Sequence, residues 1–584
     1  MSTYRFKVKL NKNTAASSGG NALEVEEVNL HPPVARYEDE NFQAVLLGSP
    51  IYKGAVDRQS TIRSLLGSFK EEFIRNINGS FLFLIYDKKD RNLKVINDRF
   101  ASIPFFYYFD GNTFMGSVNY AELWSSLKNE GKLVVNKEAI YEFIVLQRLM
   151  GNKTYDKMTV YLDSASILIF DAVSGTVKSG KYWRPDFAKR RRPKKEVSRL
   201  LAERVSDSFS RRTADGKKYG LLLSGGLDSR LILASAKVPL ECLTVGFYEN
   251  NECVVAEELA REKGYPHHFI KRPLSHYGDM LKEGAFLGGG MNVYAHAHFL
   301  NLDRELSTRA DVFFHGHGLD YLFQGKYIPH KTLKVLGCKT YVNRITDPGR
   351  NVADAFLNSV SYRLKSINPA NILKDEKVKE MKKSLSASLE RVINEGSPFC
   401  NDGYDLWDYL TVHNLSRHYT FLNVASIRTI AEERIIAFDN DLFDLYLSLP
   451  AEDRFDRTVF AEAIAFLDKR LAEIRNANTN FSIYDNGLAL TAKVGVGRIL
   501  RKMGIKATLP PDSHERSWPS GIDLISNEKV RQRVENLIES SLFDTADFLD
   551  RKKVAAVIDE HLSGRRDYSD LLLRLISIDA FINK

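Results

Sequence analysis

The chain has 584 residues and a net charge of +9; 44% of its residues are hydrophobic and 27% charged, a globular composition that excludes collagen-like and wholly disordered chains. Only 4 cysteines occur and none forms a C-x-x-C pair, which speaks against a disulfide scaffold, a zinc ribbon and an iron–sulfur cluster. The charge bias is mild for this length, no signal-peptide pattern opens the chain, and the apolar runs are far shorter than the about 20 residues that cross a bilayer, so the expectation is a cytoplasmic protein with neither nucleic acid nor membrane as partner.

Residues 1–185 carry short apolar or aromatic runs at 43–47, 79–86, 93–96, 104–109 and 166–170, separated by Asp/Gly turns; they predict a mostly-β domain. The basic run around Pro193 reads as a linker over 186–196. From 197 the period changes. A helix over 197–212 precedes strands at 219–223, 240–247, 267–271 and 311–315, with helices at 229–236 and 254–263 between them. That alternation predicts a doubly wound parallel sheet over 197–330, with ligands beyond the carboxyl ends of its strands. From 350 to 584 the apolar positions follow the helical period.

The strongest local signal is Leu223-Ser224-Gly225-Gly226-Leu227-Asp228-Ser229. A buried strand enters a Ser-Gly-Gly turn that opens a helix. The glycines let backbone N–H groups reach an anion, the two serines add hydroxyls, and the helix points its positive end at the same place. This predicts a pyrophosphate cradle for ATP, with Asp228 as a ligand of the bridging Mg²⁺. No lysine follows the glycines, so it is not the G-x-x-x-x-G-K-[ST] loop. A second strand ends in His315-Gly316-His317-Gly318-Leu319-Asp320, bringing further backbone donors and a second magnesium carboxylate, Asp320.

Together the two loops resemble the synthetase domain of the asparagine synthetase family, which includes β-lactam synthetases and lasso-peptide cyclases. The first loop matches the family's S-G-G-x-D-S. The second matches S-G-E-G-x-D-E with His315, His317 and Tyr321 substituted. Ala431 to Asp439 resembles G-x-E-x-R-x-P-F-L-D. The resemblance implies ATP contacts at Leu223 to Ser229, at Val245 and Gly246, and at His315 to Gly318. It also implies Glu432 as general base and Arg434 as its companion arginine. The implied chemistry adenylates a carboxylate with release of pyrophosphate; an amine then displaces AMP to form an amide. Taken alone, Glu432 reads as a salt bridge to Arg428 or Arg434. The family's R-x-K-x-x-F lysine has no counterpart in the segment from Arg475 to Phe481.

Residues 1–185 resemble the family's glutaminase domain of Ntn type, best at Asn78 to Asp87 and Asp98 to Tyr108. Its chemistry is missing. Ser2 stands where the family has its catalytic cysteine, the first cysteine is Cys242, and Leu47-Gly48-Ser49 replaces the oxyanion-hole N-G-E. Lost glutaminase activity is therefore expected, with ammonia or an amine on the substrate as nucleophile. The His296/His298 and His315/His317 pairs give a weak metal signal. The basic amphipathic stretch 487–506 suits a membrane surface or, preferably, a helix with its stripe in the core.

The reading is an ATP- and Mg²⁺-dependent amide-forming ligase of small carboxylate and amine substrates, of asparagine-synthetase type, with a homodimer left open. Its rivals are a related ligase or cyclase acting on a peptide, sugar acid or secondary metabolite, and a non-catalytic nucleotide-binding scaffold. A tRNA-thiolating enzyme would want paired cysteines.

Overall fold

Two antiparallel sheets face each other in the N-terminal part. The computed structural model describes residues 5–583 other than 12–23, 29–30, 32–33, 68, 336–337, 350, 361–367, 456 and 513–516; the Ser2 reading lies outside them. One sheet runs in the order Thr159–Tyr161, Phe106–Phe109, Thr113–Ser117, Arg5–Asn11, Glu24–Val28, and the other in the order Thr176–Lys181, Ser166–Asp171, Asn92–Asn97, Asn78–Asp87, Phe42–Tyr52, Ala35–Glu38. Side chains alternate across the Asn78–Asp87 strand. Leu82, Leu84 and Tyr86 meet Val8, Leu10 and Phe114 of the opposing sheet. Phe81, Phe83 and Ile85 meet Ile62 and Leu65 of the Arg58–Gly67 helix. With both faces covered, the strand is apolar at every position from Phe81 to Tyr86 rather than at every second one. Helices Tyr120–Asn129 and Lys137–Leu146 cover the outer face of the first sheet, which completes a helix–sheet–sheet–helix stack.

The second part holds a five-stranded parallel sheet in the order His267–Lys271, Glu241–Gly246, Tyr219–Leu222, Val312–Phe314, Glu432–Glu433. Four of its strands fall where the alternation predicts them. The fifth, only two residues long, gives no periodic signal. A hairpin, His330–Val335 with Cys338–Ile345, also goes unforeseen between the sheet and the helical half.

The basic run is fastened rather than free. Phe187 is buried, Lys189 pairs with Asp405 at 2.5 Å, and the Arg190 N–H donates to the Ser448 carbonyl. The following helix begins at Lys194. The two parts share one apolar core. The Ser569–Ile582 helix, buried on every side, seals it by setting Phe581 against Tyr120, Trp124 and Tyr155.

The helix expected in 487–506 forms over Gly487–Lys502, but its apolar stripe is not in the core. Leu488, Val496, Ile499 and Met503 are exposed, and the buried positions are Val494 and Gly497. The small residues set this orientation. A Cβ on Gly487 would stand 2.4 Å from the Tyr341 carbonyl oxygen, and one on Gly497 would stand 2.9 Å from that of Thr508. The hairpin and the following loop therefore lie against the glycine side and leave the aliphatic side outward. Among the described residues no helix is long and apolar enough to cross a membrane.

Candidate active site

A cleft of about 1050 Å³ opens at the carboxyl end of the parallel sheet, with Ser224, Gly226, Leu227 and Asp228 in its wall. Leu222 ends the central strand and Asp228 begins an eight-residue helix, Asp228–Ser235. Between them the loop is held by its serines: Ser229 Oγ accepts from the Ser224 N–H at 3.0 Å, lies 3.1 Å from Ser224 Oγ, and donates to the Ser224 carbonyl at 3.1 Å. Gly225 is required for space, since a Cβ there would stand 2.4 Å from Ala477 Cβ. Arg230, wholly buried, latches the loop from behind. It donates to the carbonyls of Gly225, Leu471, Ile474 and Arg475 at 3.2, 3.2, 2.6 and 2.8 Å.

The second loop reaches the first. A Cβ on Gly316 would stand 2.4 Å from Asp228 Cβ, and Gly318 adopts φ +94°, which a side chain would strain. Asp228 accepts from Gln324 Nε2 at 2.5 Å, and Asp320 pairs with Lys326 Nζ at 2.9 Å. Burial, and next the Asp320 charge, push the Asp228 carboxyl well above the usual carboxylate range. Two mutually repelling carboxylates suit Mg²⁺, which takes one or two carboxylates and completes its shell with water and substrate phosphate; a bound cation would relieve that repulsion. Lys326 also lines the cleft. Although burial opposes it, Asp320 and Asp228 hold its ammonium above the ordinary value. Arg457 lines the same cleft at φ +62° and feels the Asp228 charge.

Lys326 and Arg457 are the residues that sequence reasoning missed. Lys326 stands six positions beyond Asp320, close enough to the second loop for its sequence to have pointed to it. Arg457 lies far downstream with no local signal.

Other expected site residues lie elsewhere. Leu223, Val245 and Gly246 are buried side by side at the strand ends, outside the residues lining the cleft. His315 Nε2 sits 3.2 Å from Glu433, and His317 Nε2 lies 3.1 Å from the Tyr321 hydroxyl. Burial pushes the His317 imidazole down to about 3. Both imidazoles therefore belong to the wall behind the second loop. No group of three or more His, Cys, Asp or Glu among the described residues could hold a metal ion. Asn476, Asn478 and Thr479 line the cleft, whereas Arg475 turns to Asn251 and Glu258.

Glu432 and Arg434 are not brought to the cleft. In register Glu432 pairs with Val312, and Val312 with Tyr219, so Glu432 sits at the amino end of the sheet, opposite the phosphate loop. Its buried carboxylate takes Ser49 Oγ at 2.6 Å, Lys217 at 2.7 Å, Arg58 at 2.9 Å and Arg434 at 2.6 Å. Burial opposes ionisation, yet Arg434, Arg58 and Lys217 hold the carboxyl down to about 2. Arg434 also pairs with Asp215 at 2.6 Å. A carboxylate held in that way is too weak a base for an amine at neutral pH. The salt-bridge reading thus fits Glu432, with Arg434 as partner, while Arg428 pairs with Glu433 at 2.9 Å.

Comparisons with known proteins agree on the two parts. The Glutamine amidotransferase domain family matches residues 53–183 and the Asparagine synthase family residues 200–583. A candidate asparagine synthetase (glutamine-hydrolyzing) of Methanocaldococcus jannaschii is 24% identical over 372 residues, 58% of this chain and 70% of that one. Asparagine synthetase (glutamine-hydrolyzing) 1 of Bacillus subtilis is 24% identical over 284 residues, 46% of this chain and 43% of its own length; less than half of that relative is therefore spanned. NMN synthetase from Francisella tularensis aligns over 40% of this chain and 97% of its own at 15% identity, with a TM-score of 0.20, too low to carry an argument. With its synthase match spanning 384 of 584 residues, the chain belongs to the asparagine synthase family.

Proposed function

We propose that the protein is an ATP-dependent ligase that activates a carboxylate as an acyl-adenylate, releases pyrophosphate, and joins the acyl group to an amine with release of AMP. The observation that carries this reading is the contact of the two loops, Gly316 against Asp228, which gathers a glycine-rich phosphate cradle, Asp228 and two cations at one mouth, with Asp320 held beside them by Lys326.

Each group has a role in that reading. The loop N–H groups and the hydroxyls of Ser224 and Ser229 hold the β- and γ-phosphates, assisted by the amino end of the Asp228–Ser235 helix. Asp228 and Asp320 would hold Mg²⁺, which screens phosphate charge when bound. Lys326 and Arg457 balance charge developing on the α-phosphate as the carboxylate attacks. Lys326 thereby stands in for the lysine that the 475–481 segment lacks, its one cation, Arg475, being turned to Asn251 and Glu258.

The N-terminal part is read as a scaffold without glutaminase chemistry. Ser49, at the position of the lost oxyanion-hole acid, is spent on Glu432, so the amine is ammonia or a group on the substrate. ATP–pyrophosphate exchange across a panel of acids is the test. Exchange with aspartate supports an asparagine-forming enzyme, exchange only with a larger acid supports the wider ligase reading, and no exchange with any acid leaves a nucleotide-binding scaffold. Glutamine hydrolysis above background would overturn the reading of the N-terminal part.

A further inference from the structure

The Gly487–Lys502 helix wears its stripe on the wrong side for a core helix. Leu488, Ala492, Val496, Ile499 and Met503 follow one another at intervals of three or four residues and so share one face. That face points to solvent: Leu488 is 70% exposed, Val496 56%, Ile499 60% and Met503 68%. It extends about 22 Å at 1.5 Å per residue. At 100° per residue Lys493 falls on one flank of the stripe and Arg498 and Lys502 on the other. No Asp or Glu occurs between 487 and 506. The hairpin packed beside the helix repeats the character, with Leu333 46% and Val335 60% exposed, and with Lys331, Lys334 and Lys339 but no acidic residue over 330–345.

We propose that this outward face is a docking surface for an anionic phospholipid bilayer. An aliphatic ridge flanked by Arg498 and Lys502 on one side and by Lys493, which also pairs with Asp485 at 2.7 Å, on the other is the arrangement by which an interfacial helix sinks its apolar side into the acyl boundary and leaves its Lys and Arg among headgroup phosphates. Two other occupants fit less well. A second copy of the chain would set Arg498 and Lys502 against the same cations, and the nearby carboxylate of Asp485 is already taken by Lys493 at 2.7 Å. A nucleic acid would use the flanking charges and leave the aliphatic ridge facing phosphate. The helix is not a spanning element: at about 22 Å it is shorter than the roughly 30 Å hydrocarbon core.

The position on the molecule gives the face a consequence. Leu488 and Leu490 from the first turns of the helix, with Thr340 and Tyr341 of the hairpin, also form the rim of the cleft. Docking along the stripe brings the cleft mouth to the headgroup layer. The docking itself does not depend on the ligase reading.

Sedimentation of the full chain with phosphatidylcholine vesicles, with and without phosphatidylglycerol, tests the proposal. The expected result is binding to the phosphatidylglycerol vesicles alone, weakening as salt rises. The double variant Ile499→Asp, Met503→Asp and, separately, Arg498→Glu, Lys502→Glu should each lower the partition about 10–100-fold. Melting temperature and ATP affinity should stay unchanged, because the four side chains are exposed and lie outside the residues lining the cleft. No binding to phosphatidylglycerol vesicles at low salt overturns the proposal. So does binding that survives the aspartate pair, which would reduce it to the chain's overall positive charge. A dimer in sedimentation velocity that the same aspartate pair dissociates would assign the face to a second copy instead.

Discussion

The two ends of the parallel sheet treat a carboxylate in opposite ways. At the amino end Glu432 meets Lys217, Arg58 and Arg434 together with a serine hydroxyl, and its carboxyl is held down to about 2. At the carboxyl end Asp228 faces another acid and is held well above the ordinary range. One end is over-supplied with positive charge and so is stable as it stands. The other sets two carboxylates beside Lys326 and Arg457, and the Asp228 carboxyl stays raised because burial and the Asp320 charge outweigh those cations. Structural ion networks and ligand sites can both shift a carboxylate strongly; the direction of the shift tells them apart.

The comparison breaks most sharply at Asp228. Asp228→Asn should lower ATP–pyrophosphate exchange about 10²–10³-fold, the scale of removing one charge-stabilising group, while thermal melting shows the fold intact because a repelling charge is gone. A variant that exchanges at the wild-type rate would mean the acid pair is not the reactive end. Next in size is Glu432→Gln. It takes the shared carboxylate from Arg58, Lys217 and the buried Arg434, which keeps Asp215, and should cost about 1–3 kcal/mol in denaturant unfolding. The pH signature has a definite sign. Glu432 binds its proton less readily folded than unfolded, so its contribution is complete above about 4.5 and is lost as pH falls towards about 2. The wild type should lose stability through that window more steeply than Glu432→Gln. If the glutamine variant instead kept full stability and lost amide formation, Glu432 would be a base after all.

Smaller effects sharpen the picture. Lys326→Met should reduce kcat/KM for ATP about 10–100-fold, the worth of one charge-assisted hydrogen bond of roughly 1.5–3 kcal/mol, with unfolding little changed. A loss confined to stability would make Lys326 merely the partner of Asp320. Smallest is Ser49→Ala, which removes one hydrogen bond to Glu432 and should cost about 0.5–1.5 kcal/mol while leaving pyrophosphate exchange untouched.

The carboxyl end was readable in the sequence because it is local. Strand, glycine turn, acid and helix follow within a dozen residues, and each has a composition signal. The amino end was not. The Glu432–Glu433 strand is two residues long, and the partners of Glu432 come from Ser49, Arg58 and Lys217, brought near by tertiary packing alone. The helix at 487–502 shows a third kind of limit. Its period was plain, but the period does not say which face turns inward; the glycines at 487 and 497 decided that by admitting a close neighbour. The basic run before Lys194 reads as linker from charge alone, and its anchorage on Asp405 depends on a helix more than two hundred residues away.

Arg230 ties Gly225 to the carbonyls of Leu471, Ile474 and Arg475 with a single side chain. The phosphate cradle and the Asn476–Thr479 rim are thus two parts of one hinge-free unit, although 250 residues of chain separate them. The Ala477 N–H also donates to the Gly225 carbonyl at 3.1 Å, so whatever seats on the cradle meets both segments as one continuous wall.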